Sequence, residues 1–178
     1  MSARDRLEVA ARLVNEAGGQ IVGRTRLQKV AYLTQLAGLG GDFAFEYRHY
    51  GPFSEDLASG MEIASGLGLV REEENRAVWG GRYSIYHATD RTPFATENER
   101  HHFVTEAAKM GAIELELAAT AAFLYDHEGV GRDGNGDPWA ETARRKPEKA
   151  ADGRLERAKV AYRTLRAIQT PTPLPAIA

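Results

Sequence analysis

The side chains best suited to binding chemistry in this sequence are cations, and three of them lie close together. Arg24, Arg26 and Lys29 follow Gly23 at the start of a predicted helix. A helix N-terminus presents backbone N–H groups and the positive end of the helix dipole, so cations beside it are typical of phosphate binding. The same three residues also fit a solvated, charged helix face, and we favour that simpler interpretation.

A second basic segment lies in the C-terminal part of the chain. Residues 141–178 carry nine Lys and Arg against four Asp and Glu, whereas residues 101–140 carry two against seven. This segment could face a polyanion or pair with the acidic middle of the chain, and we favour pairing. If the protein binds nucleic acid, the predicted contacts are Arg24, Arg26, Lys29, Arg48, Arg144, Arg145 and Lys146.

Candidate metal ligands do not complete a known loop. Asp133, Asn135 and Asp137 have the spacing that opens a calcium-binding loop. The sixth position of that loop is Pro138 instead of Gly, and the twelfth is Arg144 instead of Glu. The sequence therefore gives little support for a calcium site.

Histidines and nucleophiles also point to no reaction. His101 and His102 are adjacent, so they project about 100° apart on a helix and do not chelate one ion together. Asp126, His127 and Glu128 could supply half of a metal site, but no HExxH or similar spacing accompanies them. No GxGxxG and no Walker loop occurs. We predict no catalytic residue, no metal site and no cofactor, and a protein that is not an enzyme.

The stretch from residue 46 to residue 54 joins an extended aromatic segment to a helix start. Phe43, Phe45, Tyr47 and His49 lie at a spacing of two, which points their side chains to one side of a strand and toward a core. The intervening side chains point outward. This alternation predicts a strand that ends in a sharp corner.

Gly51 and Pro52 form that corner, because glycine permits the turn and proline donates no N–H group. Ser54 can then cap the next helix. The rings at the corner are either scaffold or contact surface, and the sequence leaves both readings open. Exposed aromatics beside an arginine have the composition of interface hot spots. The candidate partner-binding residues are Arg48, Tyr50, Pro52 and Phe53.

Apolar periodicity predicts the elements that position these residues. The predicted helices cover about 4–17, Thr25 to just before Gly38, 55–66, 97–110, 112–127, a short segment from Pro138 to Lys146, and 153–168. Thr25 and Gln28 are predicted to form a capping box. Extended segments are predicted at Leu69–Arg71 and Arg82–Thr89. The residues predicted to be mostly buried are Leu33, Phe45, Tyr47, Leu57, Met61, Leu69 and Ile85.

These elements predict a mainly α (α+β) fold. Three helices and a β-hairpin would form a winged-helix-like core over residues 1–92. Further helices over residues 93–169 would pack on that core within the same domain. A proline-containing, disordered tail would occupy residues 170–178.

The third predicted helix argues against ordinary DNA binding. In a winged helix that reads DNA this helix would enter the major groove. Here it carries Glu55, Asp56 and Glu62 and neither Lys nor Arg. Phosphate contacts supply most of the affinity for DNA, so an acidic recognition helix suits a duplex poorly.

Composition places the protein among ordinary soluble chains. The 178 residues are 43% hydrophobic and 27% charged, with a formal net charge of −2 and no cysteine. The absence of cysteine excludes disulfides, zinc-thiolate sites and thiol catalysis. No apolar run approaches the roughly 20 residues of a membrane helix, and residues 1–7 do not resemble a signal peptide. We expect a cytoplasmic protein that does not enter membranes.

Two linked motifs carry a family resemblance. Residues 26–33 read RLQKVAYL and residues 47–54 read YRHYGPFS, followed by Leu57. This pair resembles the Panacea domain family and the related YwgA-like bacterial proteins, and the Pro138-Trp139 pair resembles a later feature of both. The resemblance implies a winged-helix-like core with added helices and, for Panacea domains, an antitoxin or adaptor role.

We therefore predict a non-enzymatic prokaryotic protein-interaction or regulatory module, antitoxin-like or adaptor-like, that binds a partner protein such as a toxin or a regulated protein. The alternative is a winged-helix regulator that binds nucleic acid, which we favour less. Whether the chain also forms a homodimer is left open.

Overall fold

The structure, a computed structural model, describes residues 2–177. The protein is mainly α-helical with two small antiparallel sheets, in agreement with the predicted fold class. The helices of the described residues are α1 (Ala3–Glu16), α2 (Arg24–Leu36), α3 (Glu55–Gly66), α4 (Glu99–Lys109), α5 (Ala112–Asp126), α6 (Pro138–Arg145), α7 (Pro147–Ala150) and α8 (Arg154–Arg166). The strands are β1 (Gln20–Val22), β2 (Glu46–Arg48), β3 (Gly51–Phe53), β4 (Val70–Arg76) and β5 (Arg82–Ala88).

The N-terminal half is built from α1 to α3 and a three-stranded sheet. The sheet has the order β1-β5-β4, with Ile21 opposite Tyr86 and Glu73 opposite Ile85. The hairpin of β4 and β5 and the three helices were expected. Strand β1 was not, because three residues are too short for alternation to distinguish a strand from a loop.

Helix α5 is the buried centre of the C-terminal half. Every residue from Leu115 to Leu124 is buried, so the helix shows no polar face over that span. It contacts α2 and β3 on one side and α6 and α8 on the other. Its four alanines at 118, 119, 121 and 122 let the neighbouring helices approach closely.

Of the seven residues predicted to be mostly buried, three are buried and four are half-buried. Leu33, Leu57 and Met61 are buried. The other four are half-buried: Phe45, Tyr47, Leu69 and Ile85. The alternation is confirmed from residue 43 to residue 48, since Phe43, Phe45 and Tyr47 turn inward while their neighbours are exposed. The prediction that His49 also turns inward is wrong, because the strand ends at Arg48 and His49 is exposed in the turn.

The C-terminal segment differs from the predicted disordered tail. Leu174 is only 2% exposed, and the Thr172 N–H donates to the carbonyl of Ala37. Extended, proline-containing chain leaves its carbonyls available, and here the Tyr162 hydroxyl donates to the Pro175 carbonyl. Residues 170–177 therefore pack on the core, whereas residue 178 of the predicted tail lies outside the described residues.

Four of the helix starts, those of α1, α3, α4 and α6, follow local capping rules. Ser2 and Asp5 form a capping box, and the Ser54 hydroxyl accepts from the Leu57 N–H at the start of α3, as expected. Asp137 caps α6, whose first residue is Pro138. The N-cap residues of α2, α5, α7 and α8 make no side-chain capping hydrogen bond, and α2 is treated below. No helix within residues 2–177 is both long and apolar enough to cross a membrane.

Candidate functional site

The 46–53 segment is a tight β-hairpin. Strands β2 and β3 pair antiparallel, with Tyr47 opposite Pro52, and His49 and Tyr50 form the two-residue turn. Gly51 has φ of +90°, a region that favours glycine. Gly51 and Pro52 thus begin the second strand instead of ending the first. Proline is tolerated because this short strand has an edge where its missing N–H is not needed.

Two side chains of α2 hold this hairpin from below. The Gln28 amide accepts from the Ser54 N–H at 2.8 Å and donates to the Ser54 carbonyl at 2.9 Å. The Lys29 ammonium nitrogen Nζ lies 2.8 Å from the Pro52 carbonyl oxygen. All of these groups are buried. The predicted Thr25–Gln28 capping box is therefore wrong, because Gln28 is used for a tertiary contact.

The N-terminus of α2 consequently has no side-chain cap. Its N-cap residue is Gly23, with φ of +97°, and its first turn contains no acidic residue. The Gly23 N–H donates to the Ser84 carbonyl, which ties the helix start to β5. The surface near Tyr50 thus includes an uncapped helix start.

A buried ionic cluster supports the other side of the turn. Glu116 of α5 accepts from Lys146 at 2.8 Å and from Lys149 at 2.6 Å, and its side chain is 5% exposed. Lys146 also lies 3.1 Å from the carbonyl oxygen of His49. Together with Lys29 these groups form the lysine cluster, in which Lys146 and Lys149 share the Glu116 carboxylate and Lys29 bonds the Pro52 carbonyl.

Burial is the main cause of the unusual pKa of Lys29. This residue is 2% exposed, and its burial lowers the pKa from 10.5 to about 7. Glu116 opposes the shift, while Lys146 and Lys149 add to it. At neutral pH a large fraction of Lys29 is therefore the uncharged amine.

This pKa predicts a pH-dependent stability. Between pH 7 and 10.5 the unfolded chain binds more protons at Lys29 than the folded protein, so the free energy of unfolding should rise with pH. We expect wild-type protein to gain about 2–3 kcal/mol between pH 7 and 9.5. Lys29→Met should lose this dependence, and Lys109→Met, at an exposed lysine, should keep it. Urea unfolding at a series of pH values measures the slope.

Buried tyrosines set the highest pH up to which stability should rise. Burial raises the pKa of Tyr32, Tyr86 and Tyr162 above the ordinary value of 10.0. Above about pH 10 the unfolded chain loses protons that the folded protein keeps, so stability falls again. A wild-type slope no steeper than that of Lys29→Met between pH 7 and 9.5 would contradict the assignment.

The Tyr50 side chain is exposed on the outer side of the turn that these buried residues hold. Its side chain is 51% exposed, Lys149 Nζ lies 4.6 Å from its ring centroid, and the His49 ring meets it edge-on at 4.8 Å. Tyr50 also lines three neighbouring cavities of about 300–320 Å³. We call this region the Tyr50 surface: Arg24, Arg48, His49, Tyr50 and Lys149.

The four predicted partner-binding residues differ in exposure to solvent. Arg48 and Tyr50 are exposed. Arg48 pairs with Glu46 and Glu55, and its guanidinium lies 4.5 Å from the Phe53 ring centroid. Phe53 is therefore half-covered and Pro52 is buried. At the corner Pro52 is therefore part of the scaffold, whereas the Tyr50 ring is exposed.

The first group of predicted phosphate-binding cations, Arg24, Arg26 and Lys29, contacts other groups of the protein. Arg26 donates to the carbonyls of Ala108 and Met110 at 2.8 and 2.5 Å, which satisfies the end of α4. Lys29 is buried under the hairpin. Arg24 remains 59% exposed, although it pairs with Glu72 at 2.7 Å.

The second group is also paired with acids, which for Arg145 and Lys146 come from the acidic middle of the chain and for Arg144 from the same segment. Arg144 contacts Glu141 at 2.7 Å, and Arg145 contacts Glu128 at 2.6 Å. Arg145 additionally lies 4.9 Å from the Tyr47 ring centroid. Lys146 belongs to the lysine cluster. The seven predicted cations therefore do not form one exposed face.

The loop considered for calcium has a local explanation. Asp133 accepts from the backbone N–H of Asn135 at 3.2 Å, as in a turn. Within residues 2–177 no group of three or more His, Asp or Glu side chains is placed to hold a metal ion.

Comparison with known proteins gives one informative match. The chain is 32% identical over 69 residues to the uncharacterized protein YwgA of Bacillus subtilis (strain 168), a span that covers 38% of this chain and 42% of that protein. The matched span is thus less than half of the relative's length. No family model matches. The match supports a similarity to YwgA-like bacterial proteins.

Proposed function

We propose that this chain is a non-enzymatic, cytoplasmic regulatory or adaptor module that binds a partner protein through the Tyr50 surface. The observation that carries the proposal is a half-exposed tyrosine on a turn whose backbone is fixed from below. Gln28, Lys29 and Lys146 each bond the hairpin or the segment directly after it. An anchored turn loses little conformational entropy on binding, which favours affinity.

The composition of the Tyr50 surface fits a protein interface. Tyrosine and arginine are the residue types enriched at binding hot spots, and on this surface Arg48 and Tyr50 are separated in sequence only by His49. Below them Lys146 and Lys149 place two cations against one carboxylate, Glu116. This excess of positive charge favours a partner segment that carries acidic side chains.

The antitoxin-like or adaptor-like character is supported by the two motifs. Residues 26–33 and 47–54, which resemble Panacea domains, meet in the structure through Gln28 and Lys29. The element order α1-β1-α2-α3-β4-β5, with the sheet order β1-β5-β4, fits our interpretation of the N-terminal half as a winged-helix-like core. A regulatory module on such a core is the role we assign.

The proposal predicts that Tyr50→Ala weakens partner binding strongly without unfolding the protein. Tagged wild type and variants would be recovered from the source cells, and the stoichiometric partner would be identified by mass spectrometry and then titrated as a purified protein. We expect a loss in affinity of at least about 30-fold, or roughly 2 kcal/mol, as for a hot-spot tyrosine. Phe94→Ala, at another exposed ring, is the matched control and should bind normally.

Two results would contradict this function. One is equal affinity of wild type and Tyr50→Ala, with unchanged melting temperatures. The other is recovery of nucleic acid instead of a protein, which would favour the winged-helix regulator. That alternative is weaker because α3 carries no Lys or Arg and because Arg26 and Lys29 are committed to internal contacts.

A further inference from the structure

Strand β4 forms an open edge of the three-stranded sheet. It pairs with β5 on one side, and within residues 2–177 no strand lies on its other side. Two residues of β5 bond toward β1: the Ser84 carbonyl accepts from the Gly23 N–H, and the Ala88 N–H donates to the Gly19 carbonyl. The alternate residues of β5 therefore bond toward β4, because neighbouring residues of a strand direct their backbone groups to opposite sides.

The register of β4 and β5 then identifies the unpaired backbone groups. Arg71, Glu73 and Asn75 lie opposite residues 87, 85 and 83 of β5 and bond to them. Residues 72, 74 and 76 consequently direct their N–H and carbonyl groups to the open side. A row of such groups is a template for a further strand. Strand β4 offers this template over residues 72–76.

Arg76, at the end of this edge, is a cation without a partner. It is exposed, and among the described residues its side chain makes no ion pair, hydrogen bond or ring contact. Directly opposite it in the sheet lies Arg82, and like charges in opposite positions destabilise a strand pair. Glu74 pairs with Arg82 at 3.7 Å and leaves Arg76 uncompensated. The edge therefore favours a further carboxylate beside Arg76.

We propose that two copies of this chain pair antiparallel through their β4 edges, about a twofold axis at Asn75. Backbone bonding requires the free residues of one copy to lie opposite the free residues of the other, so the axis passes through a residue and not between two. An axis at Asn75 places Glu74 of each copy opposite Arg76 of the other, which supplies the missing carboxylate on both sides. The two sheets then join into one, whose outer strands are the two short β1 strands.

Charge disfavours the neighbouring registers. An axis at Glu73 would place Glu73 opposite itself and Glu72 opposite Glu74. An axis at Glu74 or at Arg76 would place that charge opposite itself. Residues in opposite positions have Cβ atoms only about 4.5–5.5 Å apart, so such like charges repel. The axis at Asn75 places a neutral amide opposite itself, and the run of glutamates therefore selects this register.

The tip of the β4–β5 hairpin supplies the apolar part of the interface. Val78 is fully exposed and Trp79 is 80% exposed. Both follow Arg76 directly, so the same register brings them toward the start of β4 in the other copy. Large apolar side chains exposed beside an open edge favour association. The ladder is short, and we expect a weak dimer with a Kd of about 10–100 µM.

Sedimentation velocity of the intact chain, from about 5 to 500 µM, tests this interface. Wild type should change from monomer to dimer over this range. Arg76→Glu and Glu74→Arg each place like charges opposite one another across the axis, and we expect each variant alone to associate at least about tenfold more weakly. Arg76→Glu also removes the repulsion between Arg76 and Arg82, so the fold should persist.

A mixture of these two variants separates the proposed register from a general effect of charge. One variant carries only carboxylates at positions 74 and 76, and the other carries only guanidinium groups, so a mixed pair is complementary on both sides of the axis. We expect the mixture to associate at least about tenfold more tightly than either variant alone. Arg4→Glu, a charge reversal at an exposed residue of α1, is the matched control and should associate as wild type does.

Three results would overturn the proposal: wild type that stays monomeric at about 500 µM, unchanged association of Arg76→Glu, or no gain on mixing variants that are folded by circular dichroism. The β4 edge contains no residue of the Tyr50 surface. Tyr50→Ala should therefore leave self-association unchanged, and a monomeric wild type would leave the predicted effect of Tyr50→Ala on partner affinity unchanged.

Discussion

Glu116→Gln is expected to destabilise the protein by about 3–5 kcal/mol, because it removes the carboxylate that the lysine cluster shares. Lys146 and Glu116 are both almost fully buried. Glutamine keeps the shape of the side chain but offers one carbonyl oxygen and no negative charge to two ammonium groups. Loss of one partner leaves buried charge uncompensated, which is the costly way to break an ion pair.

Glu114→Gln is the matched control for this substitution. Glu114 lies two residues earlier on α5 and pairs with Arg157, whose side chain is 58% exposed. An ion pair to such an exposed partner contributes about 1 kcal/mol or less. Urea unfolding of both variants measures the difference. Equal, small losses would show that the lysine cluster does not stabilise the turn.

A compensating variant separates charge from packing. Glu116→Leu combined with Lys146→Met removes both members of the most buried pair and keeps similar volume. Replacement of a whole buried pair by apolar residues is often neutral or stabilising. We expect this double variant to be more stable than Glu116→Gln, and a further loss would assign the effect to packing instead.

Most of the helices could be predicted because their signals are local. The ends of α3 follow from the Ser54 cap and from the glycines near residue 66, and α6 follows from Asp137 and Pro138. Apolar periodicity located α1, α4, α5 and α8 to within two residues at each end. These signals depend on a few neighbouring residues, so the rest of the fold does not change them.

The contents of the site could not be predicted because they depend on tertiary contacts. Gln28 fits a capping box in sequence, yet its amide reaches Ser54 across 26 positions. Lys29 was counted among surface cations, although every residue from Leu27 to Thr34 is buried. One available signal was overlooked: Glu116 is a single carboxylate inside a run of apolar residues from 115 to 124, which is typical of a buried, paired charge.

The two motifs are explained by their contact in space. Gln28 and Lys29 belong to the first motif, and their partners Pro52 and Ser54 belong to the second. Neither segment satisfies these buried polar groups alone, so each needs the other. The family resemblance in these two motifs therefore concerns the residues that hold the hairpin in place. Similarity in these motifs does not by itself specify what Tyr50 contacts.

The tightest point of that scaffold is Gly51, and Gly51→Ala should destabilise the protein by about 3–5 kcal/mol. A Cβ atom at this position would lie 2.5 Å from Thr120 Oγ1, a distance that real contacts do not reach. Overpacking of a buried site costs about 1–3 kcal/mol, and φ of +90° adds the strain of an unfavourable backbone region. The turn would have to lift away from α5.

Gly80→Ala provides a control with nearly the same backbone strain and no clash. Its φ is +89°, and a Cβ atom there would meet nothing within 4 Å. We expect Gly80→Ala to cost about 1–2 kcal/mol. The difference between the two variants then reports the close approach of Gly51 to α5.

Thr120→Ala completes the test, because it removes the oxygen that a Cβ atom at residue 51 would strike. The nearest remaining atom of residue 120 would be its own Cβ, at 3.6 Å, which is an ordinary contact distance. In a double-mutant cycle, Gly51→Ala should therefore cost about 1–3 kcal/mol less in the Thr120→Ala background than in the wild type. Equal costs in both backgrounds would place the strain in the backbone of the turn instead of in its contact with α5.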